Sequence, residues 1–323
     1  MTIISRLTEK KVWLAPMAGF SDKPFRKICK KQGVDVLVSE MVSSDGLIFD
    51  FERSVRFAHF EEQERPLGIQ LFGSRPEIMS RACELLLPLK PDFIDINMGC
   101  PVKKVVNRGA GSALMRDPVL AGNIVRKMNE VLKDTGIPLS AKIRAGWDKE
   151  SINAVEYAQT LEEAGINLIV VHPRTRSQFY SGKADWTIIS AVKEAVSVPV
   201  IGNGDITSAD DVLAMLQETG CDGIMVGRGI LGQPWLFREI KTYLLTGERN
   251  ELTYKEKYKI IREHTESVLE EKDGNKAIIE MRAHFCHYTK GFRGGNRVRE
   301  QINHCTDAKK IIQLIGVLYE EGD

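Results

Sequence analysis

Residues 93–101 read Phe-Ile-Asp-Ile-Asn-Met-Gly-Cys-Pro, an apolar run that ends in an amide, a glycine and a thiol held against a proline. The reading places a strand over residues 93–96 and leaves Cys100 where strand becomes loop, on a rigid base with an exposed tip. A lone cysteine is ordinarily a small buried hydrophobe. Here the neighbours argue otherwise, because similar apolar runs recur on either side and also end in polar residues. They lie at 12–15, 35–39, 67–71, 139–143, 168–171, 198–201 and 223–226. Segments with helical period follow many of them, at 75–87, 118–133, 150–164, 185–196 and 207–218. Start signals precede several: Ser21-Asp22 before Pro24, Ser74 before Pro76, Asp117 before Pro118, and Thr207-Ser208. Eight strand–helix units in roughly 235 residues predict an α/β fold, a (β/α)8 TIM barrel, with a doubly wound open sheet as the alternative.

The alternation stops near residue 245. Beyond it the spacing predicts helices at 253–272, 275–290 and 307–320, so the expected organisation is a barrel over 1–245 and a small helical domain over 246–323. With 323 residues, 43% of them hydrophobic, the chain has enough apolar content for such a core. Lys and Arg total 45 against 44 acids, so a net charge of +1 excludes global attraction to nucleic acid and leaves only local clusters. Six scattered cysteines without a C-x-x-C suggest reduced thiols. The first residues lack an apolar leader and no apolar run approaches the ~18 residues of a span, so a cytoplasmic protein with no membrane contact is expected.

In a barrel the chemistry sits after the strands. Pro16-Met17-Ala18 follow the first, Glu40 the second, Gln70 ends the third, and Asn97 and Cys100 follow the fourth. Lys142 and Arg144 belong to the fifth, His172 and Arg174 to the sixth, Asn203-Gly204-Asp205 to the seventh and Gly227-Arg228 to the eighth. Small residues with free backbone donors in the last two loops describe a phosphate pocket. Gly227 to Gly232 also satisfies G-x-G-x-x-G, but no further parallel strand follows, which rejects a dinucleotide fold. Lys142 lies inside a strand that would otherwise bury it; it is a Schiff-base nucleophile, a fixed charge beside an electron-rich cofactor, or half of an internal salt bridge with Glu40. Gln70 is a bidentate amide suited to a heterocycle edge.

Several blocks recur together: Ala15-Pro-Met-Ala-Gly19, Ser39-Glu-Met41, Gly68-Ile-Gln-Leu-Phe-Gly73, Asp95-Ile-Asn-Met-Gly-Cys-Pro101 and Gly109-Ala-Gly-Ser-Ala-Leu114. Lys142-Ile-Arg144, His172-Pro-Arg-Thr-Arg176, Gly202-Asn-Gly-Asp205 and Gly227-Arg-Gly229 continue the series. The tail adds Glu280-Met-Arg-Ala-His284, Tyr288-Thr-Lys-Gly291 and Arg297-Val-Arg299. In these blocks, over nearly its whole length, the chain resembles the tRNA-dihydrouridine synthases, most closely the bacterial B-type branch.

The resemblance implies an FMN enzyme that reduces the C5=C6 bond of selected uridines in tRNA, with NADPH as electron source. By the same match Cys100 is the proton donor. Gln70 and Lys142 would hold the flavin's pyrimidine edge, Pro16, Met17 and Ala18 would pack beside its ring, and Asn203, Gly204, Asp205, Gly227 and Arg228 would hold its phosphate. His172 would touch flavin or substrate. Pro173 departs from the small residue common there and removes one backbone donor.

Residues 281–299 contain Arg282, Lys290, Arg293, Arg297 and Arg299 without an acid, interleaved with Phe285, Tyr288 and Phe292, a mixture suited to phosphates and unpaired bases. These, with His284 and with Asn97, Lys103, Arg144, Arg174 and Arg176 at the barrel mouth, are the expected tRNA contacts. The spacing of His284, Cys286, His287, His304 and Cys305 fits no zinc pattern, so no metal is expected. No obligate protein partner is evident. A free-pyrimidine flavin reductase would leave the basic tail unused, a lysine aldolase gives Cys100 no task, and an RNA scaffold needs no flavin pocket.

Overall fold

Strands covered on both faces read as near-continuous apolar runs, and the parallel strands at the centre of this protein obey that rule. The computed structural model describes residues 3–8, 11–272 and 274–320. The chain runs α1 (Ile3–Leu7), β1 (Lys11–Leu14), α2 (Lys23–Lys31), β2 (Leu37–Val38), β3 (Val42–Ser43), α3 (Ser44–Phe49), α4 (Phe51–Val55), β4 (Leu67–Phe72) and α5 (Pro76–Leu86). Next come β5 (Phe93–Met98), α6 (Lys103–Val106), α7 (Pro118–Leu132), β6 (Leu139–Arg144), α8 (Ala154–Glu163), β7 (Leu168–His172), α9 (Thr187–Ala195), β8 (Val200–Asn203), α10 (Ala209–Thr219), β9 (Gly223–Val226) and α11 (Leu236–Thr246). The tail is α12 (Tyr254–Glu271), α13 (Gly274–Tyr288), α14 (Gly295–Asn303) and α15 (Ala308–Glu320). No helix among the described residues is long and apolar enough to cross a membrane.

The strands pair in parallel in the order β1-β9-β8-β7-β6-β5-β4-β2, with β3 extending the β4 edge. A parallel bridge between Trp13 and Val36 joins the two ends of this path, and Leu14 N donates to Val36 O at 3.0 Å. The result is a (β/α)8 barrel, as the alternation predicted; an open sheet is ruled out. The second barrel strand is split into β2 and β3, and α3 and α4, absent from the sequence reading, fill the connection to β4. The expected strand at 198–201 lies two residues later as β8. A 3-10 turn at Lys149–Ser151 replaces the first turn of the helix expected from residue 150.

The lower barrel interior is apolar. Trp13, Val36, Val38, Phe93, Leu168, Val170, Ile201 and Met225 form one buried cluster with Leu7, and the Trp13 indole N–H donates to Leu7 O at 2.9 Å. Gly68 on β4 makes this possible: a Cβ there would meet the Phe93 ring at 2.1 Å. The larger apolar layer lies between strands and outer helices.

A separate apolar cluster, including Ile260, Ile261, Met281, Phe285, Ile302, Ile311 and Ile315, holds the tail helices together and reaches Ile28 of α2. Lys23–Glu271 (2.7 Å) and Asp22–Lys272 (2.7 Å) tie α2 to the C-terminal end of α12. Among the described residues the tail has four helices where three were expected. The extra helix starts within the Gly291-Phe-Arg-Gly-Gly segment that follows the expected helix at 275–290: Gly294, at φ +80°, is the N-cap of α14.

Candidate active site

Above the apolar layer the barrel interior turns polar. Gln70, at the inward face of β4, is fully buried; its amide N–H donates to Asp95 Oδ2 at 2.6 Å and its oxygen accepts from Asn97 Nδ2 at 2.8 Å. Ser140 donates to the other Asp95 oxygen at 2.6 Å. Lys142 Nζ donates to Asn203 Oδ1 at 2.8 Å, while Asn203 Nδ2 donates to Met225 O at 2.7 Å. Two hydrogen-bonded groups therefore share β6, one spanning β4, β5 and β6 through Gln70, Asp95, Asn97 and Ser140, the other β6, β8 and β9 through Lys142 and Asn203, and each amide is oriented by the fixed role of its partner.

The expected alternative partner of Lys142, Glu40, instead accepts from Gly19 N at 2.6 Å. Lys142 consequently has a neutral amide as its direct partner. Part of its surface faces the barrel mouth, yet protein surrounds the amine. Burial first, then the charge of Arg144, push its pKa down to about 7 against the pull of Asp95. Burial likewise raises Asp95 to about 6, against hydrogen bonds from Gln70 and Ser140. A buried amine without a direct counter-ion favours an anionic group above it.

Cys100 sits on the loop after β5. Its N–H donates to Asn97 Oδ1 at 2.9 Å, and its carbonyl accepts from Ser112 Oγ at 3.0 Å and Ser112 N at 3.0 Å. The backbone is thus pinned on both sides while the thiol remains partly accessible. Burial raises the thiol pKa above its ordinary value, opposed by a backbone hydrogen bond from Val102 and the charge of Arg144. The group keeps its proton at neutral pH.

His172 ends β7. Burial, followed by the charges of Lys142, Arg144, Arg174 and Arg228, holds its pKa well below the usual range, so the ring is neutral. Arg174 Nη1 points at His172 Nε2 at 3.4 Å; since a guanidinium only donates, the ring proton resides on Nδ1. Arg174 also grips both Asp205 oxygens at 2.8 Å. Asp205 holds φ +56° beside Gly204 at φ +136°. The Gly229 backbone packs so closely on Ile206 O that a Cβ would lie 1.9 Å away, which locks the two glycine loops together. Arg228 is exposed over them, its guanidinium 4.3 Å from the centre of the Tyr180 ring.

The predicted residues separate into groups. Pro16, Met17, Ala18, Gln70, Asn97, Cys100, Lys142, His172, Asn203, Gly204, Asp205, Gly227 and Arg228 all lie at the carboxyl ends of the barrel strands. Arg144 and Arg174 are each only 2% exposed, and this corrects their reading as surface contacts for RNA. Arg144 donates to the carbonyls of Gly99 (2.7 Å), Thr175 (2.9 Å) and Phe179 (2.8 Å), bracing two loops. Arg176 lies over the Trp147 ring at 4.6 Å. Lys103 is exposed at the start of α6.

In the tail, Lys290, Arg293 and Arg297 are exposed, whereas Arg299 Nη1 donates to Thr289 O at 2.8 Å and Arg282 Nη2 to Cys305 O at 3.3 Å. His284 and Tyr288, expected to face RNA, are buried among Phe25, His264 and Trp235, which corrects both to core positions. Asp95, Ser140 and Tyr180 were missed. The first two lie on inward positions of their strands, and Phe179-Tyr180 is an aromatic pair in a polar loop.

A closed parallel barrel whose strand ends gather amides, a buried amine and a protonated thiol is an α/β-barrel enzyme with its centre at the carboxyl face. Comparison with known proteins narrows the class. Residues 13–318 match the family described as dihydrouridine synthase (Dus), and the chain belongs to that family of flavin-dependent oxidoreductases. It is 38% identical over 306 residues to a probable tRNA-dihydrouridine synthase of Aquifex aeolicus, covering 94% of each chain. It is 38% identical to tRNA-dihydrouridine synthase B of Pasteurella multocida, covering 98% of this chain and 94% of that one. The type-B enzyme of Pseudomonas aeruginosa is 44% identical over 73% of this chain and 70% of its own. Among solved structures, histamine dehydrogenase from Rhizobium sp. 4-9 shares the fold, with a TM-score of 0.54 at 15% identity over 73% of this chain and 46% of that one.

Proposed function

We propose that the protein reduces the C5=C6 bond of specific uridines in tRNA to 5,6-dihydrouridine, with FMN as its flavin and NADPH as electron source. The observation that carries this reading is the placement of Cys100, a protonated thiol on a doubly pinned loop beside the polar barrel mouth, in a chain of the dihydrouridine synthase family. Bound FMN would supply the hydride to uracil C6.

The residues present fit such a group. Lys142 offers a positive charge with no direct carboxylate partner, Gln70 and Asn97 offer amides already oriented, and Pro16, Met17 and Ala18 form a partly open wall. Gly204, Gly227 and Arg228 offer a glycine-lined, basic seat for a phosphate, while Asn203 and Asp205 hold Lys142 and Arg174 in place around it. Cys100 would deliver its proton to C5 of the uracil. Neutral His172, with Nδ1 carrying the proton, would donate a hydrogen bond to flavin or substrate without adding charge.

We assign catalysis to residues 1–245 and tRNA grip to residues 246–323, with Lys103 at the mouth. A cytoplasmic placement goes with this reading, since tRNA is the proposed substrate. The test is reduction of unmodified tRNA by the flavin-loaded protein and NADPH, with mass spectrometry of digested nucleosides reading the gain of two hydrogens. Reduction of free uracil or uridine with equal efficiency would transfer the reading to a free-pyrimidine reductase.

The exposed cations make a separate prediction. Replacing Lys290, Arg293 and Arg297 together by alanine should weaken tRNA binding and lower the slope of log affinity against log salt by about 2–3 units, on the order of 0.9 per lost phosphate contact. Flavin content should stay unchanged. Arg299 is left in place because it closes a helix end. An unaltered salt slope would move the RNA track to the barrel mouth.

A further inference from the structure

One side-chain cluster has no part in the chemistry above. It lies at the seam between α2 of the barrel and the tail helices α12 and α13. Asp22, the N-cap of α2, His264 on α12 and His284 on α13 place a carboxylate oxygen and two ring nitrogens all within 4.8 Å of one another. The two rings meet edge to face, with centres 4.7 Å apart, and Phe25 packs against both. His264 is fully buried and His284 is 4% exposed.

The hydrogen bonding of these rings is incomplete. His264 Nδ1 lies 2.9 Å from the Tyr288 hydroxyl, but its Nε2 has no protein partner, and neither has His284 Nδ1. Buried polar atoms are almost always paired, and an unpartnered nitrogen on each of two rings that meet beside one carboxylate is not accounted for by packing. One ring nitrogen anchored by a neighbour while the other points at a shared centre is the arrangement of metal-ligating histidines.

We infer that Asp22, His264 and His284 bind one divalent transition-metal ion of the zinc class, completed by water, which clamps the helical tail to the barrel. Ligand atoms around such an ion lie about 3–3.5 Å apart for bonds of about 2.0–2.2 Å, so the widest pair closes by roughly an ångström. Lys272, the cation paired directly with Asp22, opposes the ion. It lies 2.7 Å from Asp22 and 2.8 Å from Glu280, and these three side chains together carry a net negative charge. Asp22 Oδ1 accepts from Phe25 N at 3.1 Å and keeps a further lone pair for the ion.

The test uses the full chain with its flavin, dialysed against a chelator and titrated with zinc, then separately with cobalt. The expected result is one ion per chain, a rise in melting temperature on binding, and a visible cobalt absorption band. His264→Ala and His284→Ala should each lower affinity by about 100-fold or more, since even outer partners of a metal ligand cost 10–100-fold. Asp22→Asn keeps an oxygen to cap α2 and guards against a folding defect; it should weaken binding while flavin content holds. Cys286→Ser with Cys305→Ser should leave affinity unchanged. No saturable binding by the wild type, binding that survives both histidine substitutions, or binding lost in the cysteine variant overturns the inference.

Discussion

Replacing Cys100 by alanine should lower dihydrouridine formation by about 10²–10⁴, the usual cost of removing a positioned general acid. Flavin content and tRNA affinity should change little, because the loop is held by Asn97 and Ser112 through the Cys100 backbone rather than through the thiol. The pH profile carries the same assignment. A proton donor must be protonated to act, and burial raises this thiol above its ordinary value. Activity limited by Cys100 should therefore be flat through neutral pH and fall only on the alkaline side, above the range of a free thiol. Single-turnover mixing of reduced enzyme with unmodified tRNA reads the chemical step; a wild-type rate in the alanine variant would remove Cys100 from it.

Lys142→Ala should weaken flavin retention by about 10- to 100-fold, the worth of one charge-assisted hydrogen bond of roughly 1.5–3 kcal/mol. The sign of the pH dependence follows from the amine. Without an anionic ligand its pKa is about 7, lowered by burial. An anion that binds the ammonium raises that value. Flavin affinity of the wild type should then be greatest below about pH 7, fall as pH rises through the interval between the two values, and level off above it. The alanine variant should lack this slope. Fluorescence titration of flavin-stripped protein across the interval measures both effects, and an identical slope in the two proteins would dismiss Lys142 as the responsible group.

The barrel was legible because β4 to β9 are covered on both faces and therefore read as short apolar runs. Strand two was harder: β2 and β3 are two residues each, and Glu40 and Met41 interrupt them. The paired helices α3 and α4 were hidden by their brevity: each buries one apolar side chain, Leu47 or Val55, while Phe49 and Phe51 are exposed, which is too little to show a helical period. α14 was masked by the glycines that initiate it. Strand-end residues could be enumerated in advance, whereas their partners could not, because Asp95 and Ser140 acquire meaning only when β4, β5 and β6 align. His284 and Tyr288 show the converse. Their basic and aromatic surroundings suggested RNA, but α13 docks against α12 and α2, and long-range packing turned those faces inward.

The change along the barrel interior, from Trp13 and Phe93 below to Gln70, Asp95, Asn97 and Lys142 above, makes the barrel amphipathic along its own axis. Substitutions in the two zones should thus report to different observables. Below, the cost is lost packing and appears as a lower melting temperature. Above, the side chains hold one another through hydrogen bonds rather than volume, so a change rearranges charge and donors at the mouth with less effect on packing. The same eight strands therefore serve as foundation at one end and as adjustable chemistry at the other, and evolution can alter the second without dismantling the first.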